Sequence, residues 1–184
     1  MSLQLITPPL EEPVSIDALK SHFRVTTTVE DSLIAGLGLA ARQAIEARYG
    51  LCVLAQSWRL SLDQVPDCAV TLPFSPILSV DDVHIIRQGS QETLSPDLYD
   101  VQGGLVGRFR INGPIVPDRT FGSIAIDFTA GWANPVEVPE EIKLAIKVLA
   151  AHFFENREGP VADRFYTSPE SLNALLAPYK QVRL

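Results

Sequence analysis

The hydrophobic and polar positions of the chain follow a helical period near both ends and a two-residue period in between. The most regular two-residue stretch lies near the C-terminal third, where Ile124, Ile126 and Phe128 alternate with small or polar residues. Alternation of this kind is typical of a strand that buries one face. A strand is therefore predicted here, and it breaks at Gly131, which tolerates backbone angles that other residues resist.

A helix is predicted directly after that strand, over residues 140–157. Pro139 suits its first turn, because the N–H that proline lacks is not needed there. Glu140 and Glu141 would then lie at the positive end of the helix dipole. Two apolar stripes follow at helical spacing, so this helix is expected to pack on two sides. The stripes are Ile142, Ala145, Ile146, Leu149 and Phe153, and Leu144, Val148 and Ala151.

Three further helices are predicted, at about residues 15–23, 29–49 and 168–177. The second is rich in glycine and alanine, which permits close helix packing at a cost of ~1 kcal/mol of helix propensity per glycine. Residues from about 52 to 130 alternate in short runs broken by glycine and proline, which predicts an antiparallel β unit. The predicted fold class is α+β: a small helical bundle with an inserted antiparallel β unit, in a single domain of residues 1–184.

The N-terminal residues 1–13 contain three prolines and are predicted to form a flexible, irregular arm. They lack the basic region and long apolar core of a secretory signal. No apolar run in the chain reaches the ~20 residues that a membrane span needs. The chain is therefore expected to be made as a cytoplasmic product.

Composition supports a globular protein that does not grip nucleic acid. The chain has 184 residues, 46% of them hydrophobic and 20% charged, which is enough for one domain with a substantial core. Its net charge is −7 and its lysines and arginines are scattered, which disfavours tight DNA binding. Two cysteines, Cys52 and Cys68, are too few for a disulfide scaffold, and both are expected to be buried thiols.

The residue types of catalytic and metal sites occur, but not at the required spacings. The histidines at 22, 84 and 152 are far apart, and no cysteine pair is close enough for a metal site. Adjacent acidic pairs do not share a helix face, so they make poor acid–base dyads. The glycines of residues 103–107 lack the Lys-Ser/Thr of a phosphate-binding loop and predict a hairpin turn. No catalytic, cofactor or metal residue is assigned, and the chain is not expected to be an enzyme.

Five segments carry, in order, motifs of one known family. They read SIDALKSHFRV (15–25), EDSLIAGLGLAARQAIEARYG (30–50), LPFSPILSV (72–80), an AGW turn followed by VP and ENRE (130–158), and SLNALLAPYK (171–180). This ordered set resembles the tailed-phage head–tail connector (adaptor) family, which includes the adaptors of prophages and gene transfer agents. Lys180 stands where that family often has arginine.

The resemblance implies a structural protein of the virion neck. Such an adaptor forms a ring, typically a dodecamer, under the portal protein, extends the DNA channel and docks a stopper or tail-completion protein. It passes DNA without specific binding, needs no cofactor and contacts no membrane. The resemblance also implies a portal-contacting C-terminal segment, about residues 163–184. Its candidate contact residues are Phe165, Tyr166, Tyr179, Lys180 and Arg183.

Two alternatives from other classes stay open at this point. One is a small phage-encoded enzyme acting on nucleic acid or the cell wall, which would require a cleft with a cluster of ionisable groups. The other is a DNA-packaging accessory protein that binds DNA directly, which a gel-shift assay at low salt would detect.

Overall fold

The structure is a computed structural model, and it describes residues 1–87, 90–113, 115–116, 121–156 and 170–180. Within these residues the chain forms four α-helices and eight strands. In chain order they are β1 (Ser2–Thr7), α1 (Ile16–Phe23), α2 (Asp31–Tyr49), β2 (Gln56–Leu62), β3 (Val70–Thr71), β4 (Ile77–Arg87), β5 (Ser90–Thr93), β6 (Tyr99–Gln102), β7 (Arg108–Ile111), β8 (Ile124–Ala130), α3 (Glu140–Glu155) and α4 (Glu170–Leu176).

The chain divides into two compact units. The sheet unit consists of residues 1–10 and 54–133, and the helical unit consists of residues 11–53 and 134–184. The predicted α+β class is confirmed, since a set of helices encloses an antiparallel β insertion in the sequence. That the two units make one domain stays a prediction.

The helical unit begins and ends its helices as the residue types dictate. The Ser15 hydroxyl accepts a hydrogen bond from the Ala18 N–H at 3.2 Å and caps α1. Gly50 ends α2 in the left-handed region, with φ of 69°. Helix α2 starts at Asp31, two residues after the predicted start at residue 29, and Glu30 occupies its N-cap position. The core of this unit includes Leu19, Ile34, Ile45, Ile142 and Ile146.

The sheet unit contains two antiparallel sheets. The larger has the strand order β1-β2-β8-β4-β5, and the smaller has the order β3-β7-β6. Leu60, Ile126 and Val83 lie in register across β2, β8 and β4, and all three are fully buried. The β8 face that was predicted to be buried, formed by Ile124, Ile126 and Phe128, is buried in the structure. The backbone of Ile77 forms an isolated bridge with Gly104, in the loop between β6 and β7, with N···O distances of 2.9 and 3.1 Å.

Two sequence expectations differ from the structure. Residues 1–13 were expected to be irregular, but Ser2–Thr7 pair with β2 as an edge strand, since the prolines come only after Thr7 and leave the strand its N–H donors. The mobility of the arm stays a prediction. Cys52 is buried as expected, but Cys68 is exposed, because it lies in the turn between β2 and β3.

None of the described helices has the length and apolar character required to cross a bilayer.

Gly36 and Gly131 form a matched pair for substitution by alanine. Gly36 lies inside α2 with open space where a Cβ would stand, so Gly36→Ala should stabilise the protein by about 1 kcal/mol. Gly131 has φ of 117°, and a Cβ there would collide with the Leu54 carbonyl, so Gly131→Ala should destabilise it. Thermal unfolding should show Tm raised by about 2–4 °C for the first and lowered for the second. An unchanged Tm for Gly131→Ala would contradict the tight turn.

Candidate functional site

The last described helix is anchored to the rest of the helical unit. Leu172 and Leu176 of α4 are fully buried. The Tyr49 hydroxyl, near the end of α2, donates a hydrogen bond to Asn173 Oδ1 at 2.7 Å. These contacts hold α4 in a defined position, and residues 177–180 follow directly after this packed helix.

Two of the five predicted contact residues, Tyr179 and Lys180, lie among the residues that the structure describes. Tyr179 lies beside the first turn of α3, where desolvation, the charge of Glu141 and a hydrogen bond to that carboxylate raise the pKa of its hydroxyl. Lys180, the next residue, is exposed. Phe165, Tyr166 and Arg183 lie outside the described residues. The structure therefore places one candidate against its own chain and one at the surface, and portal contact stays a prediction for the whole set.

A buried charge network holds the N-terminal edge of the helical unit. Arg42 is 4% exposed, and its guanidinium donates to both carboxylate oxygens of Glu12, at 2.8 and 3.1 Å, and to Glu46 at 2.7 Å. Burial alone would lower the pKa of Arg42, but the two carboxylates outweigh it and raise the pKa. Glu46 also accepts a hydrogen bond from the Val53 N–H at 2.8 Å. The network fastens residues on both flanks of α2 to that helix.

A polar row crosses the larger sheet on the face opposite its buried one. Arg59 of β2 donates two hydrogen bonds of 2.6 Å to Asp127 of β8. His84 Nε2 of β4 lies 3.6 Å from the same carboxylate, and His84 Nδ1 lies 3.2 Å from the Thr93 hydroxyl of β5. The row joins four neighbouring strands, which fixes their register.

The composition of this row, hydroxyl, imidazole and carboxylate, is that of a catalytic triad, but its geometry is different. Both oxygens of Asp127 are engaged by Arg59, and 3.6 Å is too long for a hydrogen bond to His84. The carboxylate therefore pairs with an arginine across strands instead of orienting the imidazole. In the part of the chain that the structure describes, no three metal-ligating side chains come together.

Apolar side chains remain uncovered at three places. In α3 the second stripe is half open, since Leu144 is 42% exposed and Val148 and Ala151 are partly so. Between α1 and α2 an apolar groove of about 250 Å³ is lined by residues that include Ile16 and Leu39. The third place is strand β1, whose outer edge has no partner strand among the described residues and whose exposed side chains include Leu3, Leu5 and Ile6. Surfaces of this kind are typical of protein–protein contacts.

Solved structures give the fold a close counterpart. The chain is similar in fold to neck proteins of gene transfer agents. A chain from the neck of an empty gene transfer agent particle, computed with C6 symmetry, matches with a TM-score of 0.84 at 23% identity. A chain from the virion of a native particle matches with a TM-score of 0.81, and one from a native neck computed with C12 symmetry with 0.75, both at 25% identity. Each match covers 100% of this chain and 97% of the other.

The chain matches no protein-family model and none of the curated proteins.

The charged networks were missed at the level of sequence. The spacing of Arg42 and Glu46, four residues apart on one helix face, is a usable signal for an ion pair. Glu12, in contrast, is 30 residues from Arg42 and in a segment predicted to be irregular. Arg59 and Asp127 are 68 residues apart, and only the pairing of β2 with β8 brings them together.

Arg42 and Arg48 form a matched pair on α2 for testing the buried network. Arg42→Ala leaves the carboxylates of Glu46 and Glu12 without their cation, which should reduce the free energy of unfolding by about 3 kcal/mol. Arg48 is exposed and has no ion pair among the described residues, so Arg48→Ala should change the free energy of unfolding by less than about 0.5 kcal/mol. Urea unfolding at neutral pH measures both, and equal losses would contradict the assigned role of Arg42.

Proposed function

We propose that this chain is a structural head–tail connector, or adaptor. It forms a ring under the portal of a tailed phage, prophage or gene transfer agent, extends the DNA channel and docks the next neck protein, a stopper or tail-completion protein. Its role is mechanical and not catalytic. It belongs in the virion neck after assembly and in the host cytoplasm before assembly.

The observation that carries this proposal is the extent of the structural match. The similarity to chains of gene transfer agent particles includes both the sheet unit and the helical unit, since it covers 100% of this chain. The ordered motifs that resemble the adaptor family are spread over the same two units. Backbone geometry and local sequence therefore support the same class of protein.

A closed ring of identical subunits needs two different complementary surfaces on each subunit. The half-open stripe of α3 around Leu144 is one apolar candidate. On α2, Leu33 and Leu39 are exposed as well, although that helix also packs against α3 within the chain. Burial of such side chains against a neighbour would contribute about 25 cal/mol for each Å² removed from water.

The charge balance supports passage of DNA over retention of DNA. Each lysine or arginine that contacts a phosphate adds to salt-dependent affinity. With a net charge of −7, the chain offers few such contacts, which suits a channel through which DNA slides. The ring is accordingly proposed to contact DNA only transiently.

The C-terminal end is the proposed portal contact, over residues 163–184. Anchoring of α4 by Tyr49 and of Tyr179 by Glu141 would present Lys180 and the residues after it from a defined position. A pre-organised base of this kind reduces the entropy that binding would otherwise cost.

Electron microscopy of the chain mixed with its portal protein tests the proposal. We expect a ring of this chain on one face of the portal, with a central channel. A monomer in the absence of the portal is consistent with the proposal. The same mixture with an unrelated portal is the control. Absence of the chain from portal particles at micromolar concentrations would overturn the proposed function.

Truncation after Tyr179 tests the portal contact separately from the fold. Removal of residues 180–184 leaves Leu172, Leu176 and the Tyr179–Glu141 contact in place, so Tm should stay within a few degrees of the full chain. Co-sedimentation with the portal should be lost. The control is Arg48→Ala in the full chain, which keeps the tail and changes one exposed side chain of α2. Portal binding by the truncated chain equal to that of the full chain would refute a portal contact through Lys180 and Arg183.

A further inference from the structure

Two arginines of the sheet unit have no counter-ion among the described residues. Arg108 and Arg110 occupy alternate positions of β7, so both side chains lie on one exposed face of the smaller sheet. The other described arginines of this unit are both paired, Arg59 with Asp127 and Arg87 with Glu92. Asp100 stands opposite Arg110 in the β6–β7 register, yet no ion pair joins them within the described part of the chain.

Arg108 and Arg110 are two positive charges in a unit that is mainly acidic. Acidic residues outnumber basic ones by nine to five in the sequence of the sheet unit. Two like charges about 7 Å apart, as alternate strand positions are, repel each other and attract an acidic surface. A partner with two neighbouring carboxylates would neutralise both.

The same unit carries such a pair of carboxylates on β4. The register between β4 and β8 shifts at this point: Val80 pairs with Phe128 and Asp82 pairs with Asp127, which leaves Asp81 as the extra residue of a bulge. Asp81 and Asp82 are both exposed and have no cation within ion-pair distance among the described residues. The bulge thus presents two adjacent negative charges at the surface.

Hydrogen bonds hold the first carboxylate of this pair in place. The Asp81 carboxylate accepts from the Ser79 hydroxyl at 2.6 Å and from the Thr129 hydroxyl at 2.8 Å. Asp82 lies opposite Asp127, whose charge is already taken by Arg59. Asp127 is itself an anion, so this neighbour cannot neutralise Asp82.

We propose that the Arg108/Arg110 face of one subunit contacts the Asp81/Asp82 bulge of the next subunit. This inference rests on the proposed ring and identifies its electrostatic contact. Two unlike patches on one chain make a head-to-tail contact, which is the kind that closes rings. Two cations would face two anions across the contact. Such contacts mainly steer association and select the register, while apolar surfaces supply most of the affinity.

A nucleic acid is the less favoured partner for the two arginines. Phosphate binding generally uses a larger basic patch, whereas this face has only two arginines among the described residues. An acidic patch of matching size on the same chain is the simpler complement.

Complementary charge reversal tests the contact. Variant A is Arg108→Glu with Arg110→Glu, and variant B is Asp81→Lys with Asp82→Lys. Each variant alone brings like charges together, so we expect its ring assembly on the portal to fall by more than about tenfold. An equimolar mixture of A and B restores both contacts in alternation and should recover ring assembly. Electron microscopy and native mass spectrometry would show rings that contain both variants.

The controls separate this contact from folding and from net charge. Arg24→Glu with Arg48→Glu changes the charge by the same amount as variant A but lies in the helical unit, and it should assemble like the unmodified chain. All variants should unfold within a few degrees of one another, since the substituted side chains are exposed. As a second measurement, Arg110→Cys with Asp82→Cys, in a Cys68→Ser background, should give intersubunit products with a short bis-maleimide cross-linker in assembled rings.

The outcomes distinguish the inference from the proposed function. If the unmodified chain forms no ring on the portal, the proposed function fails and this contact falls with it. If the unmodified chain and variant A assemble equally well, or if folded A and B do not recover in mixture, the contact alone is overturned. If variant A assembles normally but loses DNA retention in a low-salt gel shift, the arginines bind nucleic acid and the subunit contact is refuted.

Discussion

The pairing of β8 with both β2 and β4 is the constraint on which the sheet unit depends. This strand is the centre of the larger sheet, and its residues alternate between a fully buried apolar row and the polar row that contains Asp127. A slip of one residue would exchange the two faces and place the aspartate in the core. Register is therefore specified from both sides, by hydrophobic burial on one face and by the Arg59–Asp127 pair on the other.

The arginines of this protein differ in whether a carboxylate of the same chain pairs with them. Arg42 and Arg59 are satisfied within the chain by carboxylates that are distant in sequence, and they fasten segments together. Arg108 and Arg110 receive no such partner among the described residues. In the proposed ring, each subunit would hold its own fold and also present charged groups to a neighbour, and the two kinds of arginine match those two needs.

Local patterns predicted the elements well where the pattern was strong. The three longest helices and β8 follow from hydrophobic period and from residues such as Ser15, Pro139 and Gly50 that favour helix ends. The predictions that differed concern segments whose structure depends on distant partners. β1 exists because β2 offers it an edge, and nothing within residues 1–13 signals that edge.

The sequence by itself determined the α+β class, the sites of most helix boundaries and the burial of one face of β8, because these depend on residues within a few positions of one another. Tertiary structure alone decided which charges meet and which remain open. Glu12 reaches Arg42, and Asp127 reaches Arg59, only after strands and helices pack, whereas Arg108 and Asp82 stay without a counter-ion among the described residues. Pairing of this kind depends on distances in space between residues far apart in the chain, which local periodicity does not encode.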